Sequence, residues 1–188
     1  MKAIKRCAWV PDNNPLYQKY HDEEWGVPIH DDRKLFEFIV LESAQAGLSW
    51  ATVLNKRENY RKAFARFDPK KVAVFTSHDV KRLLLDKGII RNRAKIEAAI
   101  QNAKIFLTIQ KEYGSFGAYM WRFVNNKIIR HRITKLSDYP KYIPEAITFA
   151  SDLKKRGFRF FGSTIAYAHM QAVGMVDDHM TTCFRHKI

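Results

Sequence analysis

The sequence predicts an all-α protein, and three observations carry this. Apolar residues recur at spacings of three and four along most of the chain. Alternation with period two is essentially absent. The periodic stretches open on capping residues and close on glycines. The clearest stretch follows Asp31-Asp32, either of which serves as N-cap. Leu35, Phe38 and Ile39 lie at i, i+3 and i+4, and Gly47 terminates the helix.

A second helix is expected from about Ser49 to Phe67, with Val53, Tyr60, Phe64 and Phe67 along one side. Asp68-Pro69 is a cap followed by proline at the first helical position, and it opens a short helix over Lys70–Phe75. Ser77 caps a further helix that uses Val80, Leu83 and Leu84 and stops before Gly88. A long helix then carries Ile96, Ile100, Ala103 and Leu107 on one stripe. Helix, glycine-containing turn and helix over about 77–107 make a helix-hairpin-helix pattern. The backbone amides of such a turn, with Arg91, Arg93 and Lys95 beside them, suit a phosphate. Any αα-hairpin has the same outline, so the pattern alone has low specificity.

Gly114 to Trp121 restarts a helix with Phe116, Met120 and Phe123 inward. Residues 125–144, with Asn125-Asn126, Asp138 and two prolines, read as an irregular connection. Helix returns over about Pro144–Arg156, with Ile147 and Leu153 inward and Gly157 as terminator. A last apolar helix covers Ser163–Val173 and ends at Gly174.

The chain of 188 residues fits one domain over 1–188, with two helical lobes around a cleft also compatible with its size. Hydrophobic residues make up 46%, an ordinary value for a folded protein. Thirty-three Lys+Arg against 19 Asp+Glu give a formal charge of +14, which favours polyanions and above all the phosphates of nucleic acid. A membrane is the competing polyanion, but there is no spanning run and no basic amphipathic helix with an exposed apolar face. The opening Met-Lys-Ala-Ile-Lys-Arg-Cys lacks the apolar region of a signal peptide, so a cytoplasmic location is expected.

Cys7 and His21 near the start, with His179 and Cys183 near the finish, form a Cys2His2 set that uses both cysteines of the chain. Four such ligands suit tetrahedral zinc and leave no open position for a substrate, so the metal would clip the termini together without doing chemistry. Two unrelated cysteines with chance histidines, or a Cys7–Cys183 disulfide, remain open alternatives on spacing alone. Glu42 falls on the stripe of Leu35, Phe38 and Ile39, where a carboxylate must be hydrogen-bonded, paired or facing a pocket. A structural partner for it is as reasonable as a pocket. Trp9, Tyr17, Tyr20, Trp25 and Trp50 accumulate around it in sequence; as the walls of a pocket they would suit a flat cationic ring, and as core they would simply fill space.

These residues stand in long, ordered strings: Tyr20-His21-Asp22-Glu23-Glu24-Trp25-Gly26-Val27-Pro28, Leu41-Glu42, Gln45-Ala46-Gly47-Leu48-Ser49-Trp50, Lys56-Arg57-Glu58-Asn59-Tyr60-Arg61, Gly88-Ile89-Ile90-Arg91 and Asp178-His179. In them the chain resembles the 3-methyladenine DNA glycosylase I family of bacterial base-excision repair, within the helix-hairpin-helix superfamily, from Cys7 to Cys183. The resemblance implies that Cys7, His21, His179 and Cys183 bind one structural zinc ion. It implies that Glu42 recognises the damaged base and that Tyr20, Trp25, Trp50 and Trp9 line its pocket. Gln45, Gly47 and Leu48 would meet the DNA where the base leaves the stack, and Arg91, Arg93 and Lys95 would anchor phosphate. The implied partner is double-stranded DNA containing alkylated adenine, bound by a monomer in the bacterial cytoplasm at the nucleoid. The implied activity is hydrolysis of the N-glycosidic bond without strand cleavage. The alternative is a zinc-organised DNA-binding protein with no activity. Asn92, Ala94 and His169 depart from the family pattern.

Overall fold

The computed structural model describes residues 4–186 and is built on ten α-helices. The first, α1 (Pro15–Glu23), was not foreseen, although its signal is plain. Asn14 accepts from the Tyr17 amide, and proline occupies the first turn. Helix α2 (Asp32–Gln45) is capped by Asp31, whose carboxylate accepts from Lys34 N. Every residue from Leu35 to Ala44 is buried, so α2 is a central helix covered on all sides rather than an amphipathic one.

The single helix expected over Ser49–Phe67 is three pieces: α3 (Trp50–Leu54), α4 (Arg57–Ala63) and a 3-10 turn over Ala65–Phe67. Ala65, Arg66 and Phe67 have φ of 50°, 56° and 56°, a left-handed turn that no local propensity favours. Phe64 and Phe67 are both buried as expected, and their burial outweighs the backbone cost of the turn. Helix α5 (Pro69–Ala73) starts at the Asp68 cap. Helix α6 (Ser77–Leu85) is capped by Thr76, not Ser77. Asp79 sits three residues after Thr76 and accepts its backbone amide at 2.9 Å, which fixes the start one residue earlier.

Helix α7 (Arg93–Tyr113) packs against α5, α2 and the short α8 (Phe116–Trp121). Helix α9 (Pro144–Lys155) and α10 (Ser163–Ala172) pack on each other, and α10 lies along α2. On α9 the inward stripe is Ala146, Phe149, Ala150 and Leu153. Ile147 is 44% exposed, contrary to expectation, because that stripe turns it toward solvent.

The 125–144 connection holds one strand of a small parallel pair that the sequence did not announce. In it β1 (Ile129–Arg130) pairs with β2 (Val176–Asp177). Two residues per strand are too few for an alternation to be visible. The chain ends are stitched together: Phe184 N donates to Lys5 O, Gly26 N to Gln171 O, and Ile29 N to Val173 O. Gly174, at φ +73°, lets this seam close, since a Cβ there would lie 2.3 Å from the Val27 carbonyl carbon.

Candidate functional site

An aromatic-walled cavity of about 210 Å³ opens between α1, α2, α3 and α10, lined by Trp9, Tyr17, Tyr20, Trp25, Glu42, Gln45, Trp50, Tyr139, Ala168 and Gln171. Tyr20 and Trp50 face each other at 5.3 Å between ring centroids, and Trp9 meets Trp25 edge-on at 4.8 Å. Trp9 is fixed from outside, its indole N–H donating to Tyr139 Oη at 3.1 Å, and Tyr139 in turn donates to the Asp178 carbonyl. The structure therefore gathers Glu42, Tyr20, Trp25, Trp50 and Trp9 around one cavity. Tyr139 and Gln171 join them unannounced. Gln171 is one of the few polar residues in the second half of an apolar helix, beside His169, a signal that was readable; Tyr139 sits in the irregular connection and gave none.

Two buried glutamates on α2 show what sets Glu42 apart. Glu37 is fully compensated: Arg57 Nε donates to it at 2.7 Å, Arg61 Nη2 at 2.9 Å, and Lys34 Nζ stands at 3.2 Å. Glu42, 2% exposed, has no hydrogen bond to Oε2 and no arginine or lysine partner among the described residues. Burial pushes its carboxyl above the usual range, opposed only by His169, whose Nδ1 stands 3.4 Å from Oε2. Burial likewise raises the Tyr20 hydroxyl well above its ordinary value, so that wall stays neutral. The indole nitrogen of Trp50 is also buried without an acceptor. A carboxylate without an arginine or lysine partner and an indole donor without an acceptor thus belong to residues that line one aromatic cavity, a lining suited to a flat polar ligand.

At the rim of this socket α2 ends in an exposed turn. Leu48 N donates to Gln45 O at 2.6 Å, and Gly47 takes φ +78° with open space around it. Leu48 is left 40% exposed, while Gln45 reaches the cavity. The α6–α7 turn lies alongside. Arg91 and Arg93 are exposed there, and Asn92 caps α7 by accepting from Lys95 N. Lys95 is placed differently from its neighbours: its ammonium donates to Ala44 O at 2.8 Å and Ala46 O at 2.6 Å, tying α7 to the end of α2.

On the far side of Trp9 and Trp25 the chain ends converge. The candidate ligand atoms of Cys7, His21 and Cys183 lie within 4.8 Å of one another, all three residues buried. Both cysteines are free, so no disulfide joins them. His179 stands beside the group, its ring 5.3 Å from that of His21, but its nitrogens do not fall within it. Each histidine gives Nδ1 to a carboxylate, His21 to Asp22 at 2.8 Å and His179 to Asp177 at 2.7 Å. Nε2 of His21 points to Cys183 Sγ at 3.5 Å, whereas Nε2 of His179 is buried with no partner. Backbone amides of Met180 and Arg185 donate to the two sulfurs, and a hydrogen bond from the Cys7 thiol holds Cys183 below the usual thiol range.

A helical chain with an aromatic-walled cavity, an exposed turn at its rim and a basic helical turn beside it has the features expected of a protein that binds an extruded base of a nucleic acid. A family model described as methyladenine glycosylase matches residues 9–186. The DNA-3-methyladenine glycosylase 1 of Escherichia coli (strain K12) is 50% identical over 180 residues, 96% of each chain. A crystal structure of a 3-methyladenine DNA glycosylase I superposes with a TM-score of 0.94 at 50% identity, over 97% of this chain and 100% of that one. A second, solved in complex with 3-methyladenine, superposes at 0.91 with 37% identity, over 95% and 96% of the two chains. This chain belongs to the methyladenine glycosylase family.

Proposed function

We propose that this chain excises 3-methyladenine from alkylated double-stranded DNA by hydrolysing the N-glycosidic bond. The observation that carries the reading is Glu42, a buried, uncompensated carboxylate in a cavity of aromatic faces. Methylation at N3 makes the base cationic, and a cation is what such a carboxylate and such faces attract. The same charge weakens the bond to C1′. When C1′–N9 breaks, the bonding pair neutralises the ring, water adds to C1′ and gives up one proton to solvent, and the base leaves uncharged. Gripping and extruding the base then supply most of what is needed, and strong acid catalysis is unnecessary. No lysine is called on for a Schiff base, consistent with a monofunctional enzyme. In this reading Glu42 touches the base, Tyr20, Trp25 and Trp50 flank it, and Trp9 buttresses Trp25.

Gln45, Gly47 and Leu48 form the element that enters the space the base vacates, with Arg91 and Arg93 on phosphates. Lys95 serves this by holding the turn, since its donors are engaged with Ala44 and Ala46. No helix among the described residues is long and apolar enough to cross a membrane. The chain acts in this reading as a single-domain monomer on DNA in the cytoplasm.

The donor set Cys7, His21 and Cys183, with His179 as fourth, fits zinc: two sulfurs, two imidazoles, and a carboxylate behind each imidazole. The buried, unpartnered Nε2 of His179 supports its inclusion. Four protein ligands leave the ion a structural role, bracing the Trp9–Trp25 wall. The decisive experiment is incubation with methylated duplex DNA and measurement of free 3-methyladenine. Release is expected, and lost in Glu42→Gln; no release by folded, metal-replete protein would leave only a DNA-binding role.

A further inference from the structure

His169 lies on α10 with its ring fully buried and neither nitrogen hydrogen-bonded. An imidazole in that state is costly unless a partner arrives, and the polar atom facing it is Glu42 Oε2 at 3.4 Å, itself unpartnered. Two aromatic rings also lie against it: Phe161 meets it edge-on at 5.3 Å and Phe149 lies at 6.4 Å. We propose that His169 is a positioning residue for Glu42, donating Nδ1–H to Oε2 so that the other carboxylate oxygen is turned toward the base. The inference rests on the reading of Glu42 as the base-contacting residue.

The geometry favours one tautomer. With the proton on Nε2, the lone pair of Nδ1 would face the lone pairs of the carboxylate across 3.4 Å between two buried side chains. With the proton on Nδ1, the same separation closes into a hydrogen bond by a movement of a few tenths of an ångström, which base binding would drive. A doubly protonated ring would cancel the carboxylate and repel a cationic base. The groups facing the pair are few. The Tyr20 hydroxyl feels Glu42 from α1, with Glu24 and Arg57 beyond it; α9 and the segment before α10 contribute the rings of Phe149 and Phe161.

The test is single-turnover release of 3-methyladenine from methylated duplex DNA between about pH 5 and 9, for wild type, His169→Phe, His169→Asn and Glu42→Gln. Phenylalanine keeps the shape and removes the donor; asparagine restores an N–H near the position of Nδ1. Without the donor Glu42 holds its proton to higher pH, so the acid limb of His169→Phe should move up by at least about half a pH unit. It should return toward wild type in His169→Asn. A His169→Phe limb that coincides with wild type, or an asparagine variant no better than phenylalanine, overturns the proposal. Glu42→Gln excising like wild type overturns the underlying reading as well. Independently of any variant, histidine ¹H–¹⁵N correlation spectra of the wild-type protein should show His169 as the neutral Nδ1–H tautomer; the Nε2–H form there refutes the hydrogen bond.

Discussion

Lys95 Nζ stands 2.6 Å from the carbonyl oxygen of Ala46, so the first turn of α7 grips the last turn of α2. The basic hairpin and the Gln45–Leu48 turn are thereby one rigid edge beside the socket. Desolvation lowers the Lys95 ammonium, as expected for a side chain folded inward onto carbonyls. Phosphate anchoring and turn positioning are separable by salt. Lys95→Met should lower excision about tenfold and stability by about 1 kcal/mol, with the salt dependence of DNA binding unchanged. Arg93→Gln should do the opposite, leaving melting alone and reducing the logarithmic salt slope by about one. Equal slopes for wild type and Arg93→Gln would take Arg93 off the phosphates.

Glu42 should cost the fold stability. Its carboxyl is raised by burial, so the native state holds the proton more tightly than the unfolded chain. Below the unfolded value both states are protonated and nothing is lost. As pH rises the unfolded state ionises first, stability falls, and the full penalty is present once pH exceeds the native value. Glu42→Gln should therefore melt higher than wild type at neutral pH, by about 1.4 kcal/mol for each unit of elevation, with the gap closing below about pH 4. Thermal unfolding across pH checks this; a variant that melts lower at pH 7 would mean that Glu42 has a structural partner.

Leu48 should matter to DNA and not to the fold. At 40% exposed on an open turn it contributes little packing, so Leu48→Ala should leave melting within about 0.5 kcal/mol. Excision from duplex should fall about tenfold or more, and much less from single-stranded substrate, where no stack has to be opened. Equal losses on both substrates would remove Leu48 from the extrusion step.

The terminal cluster should report on metal. Cys183→Ser removes one sulfur from a buried group and leaves Cys7 and His21 facing each other across it. Metal content should drop below one ion per chain and stability by more than about 2 kcal/mol, with a smaller effect on the rate of excision at a temperature where the variant is folded. A wild-type protein that purifies with no zinc and melts unchanged in chelator contradicts the assignment.

What the amino-acid order determined by itself was local and chemical: the helices from Asp31, Asp68 and Pro144, the cap at Asn14 that went unread, the acid among aromatics, and the thiol and imidazole pairs at the two ends. Each of these rests on neighbours within one or two turns, which is the range over which caps and periodicity act. Tertiary structure decided the rest. Glu37 and Glu42 look alike on the helix that bears them, yet only the packing of α4 supplies Arg57 and Arg61 to one and leaves the other bare. The left-handed turn at Ala65–Phe67, the β1–β2 pair and the inward fold of Lys95 all follow from contacts between segments distant in sequence. Burial and the partners it supplies are properties of assembled surfaces, and no window of sequence contains them.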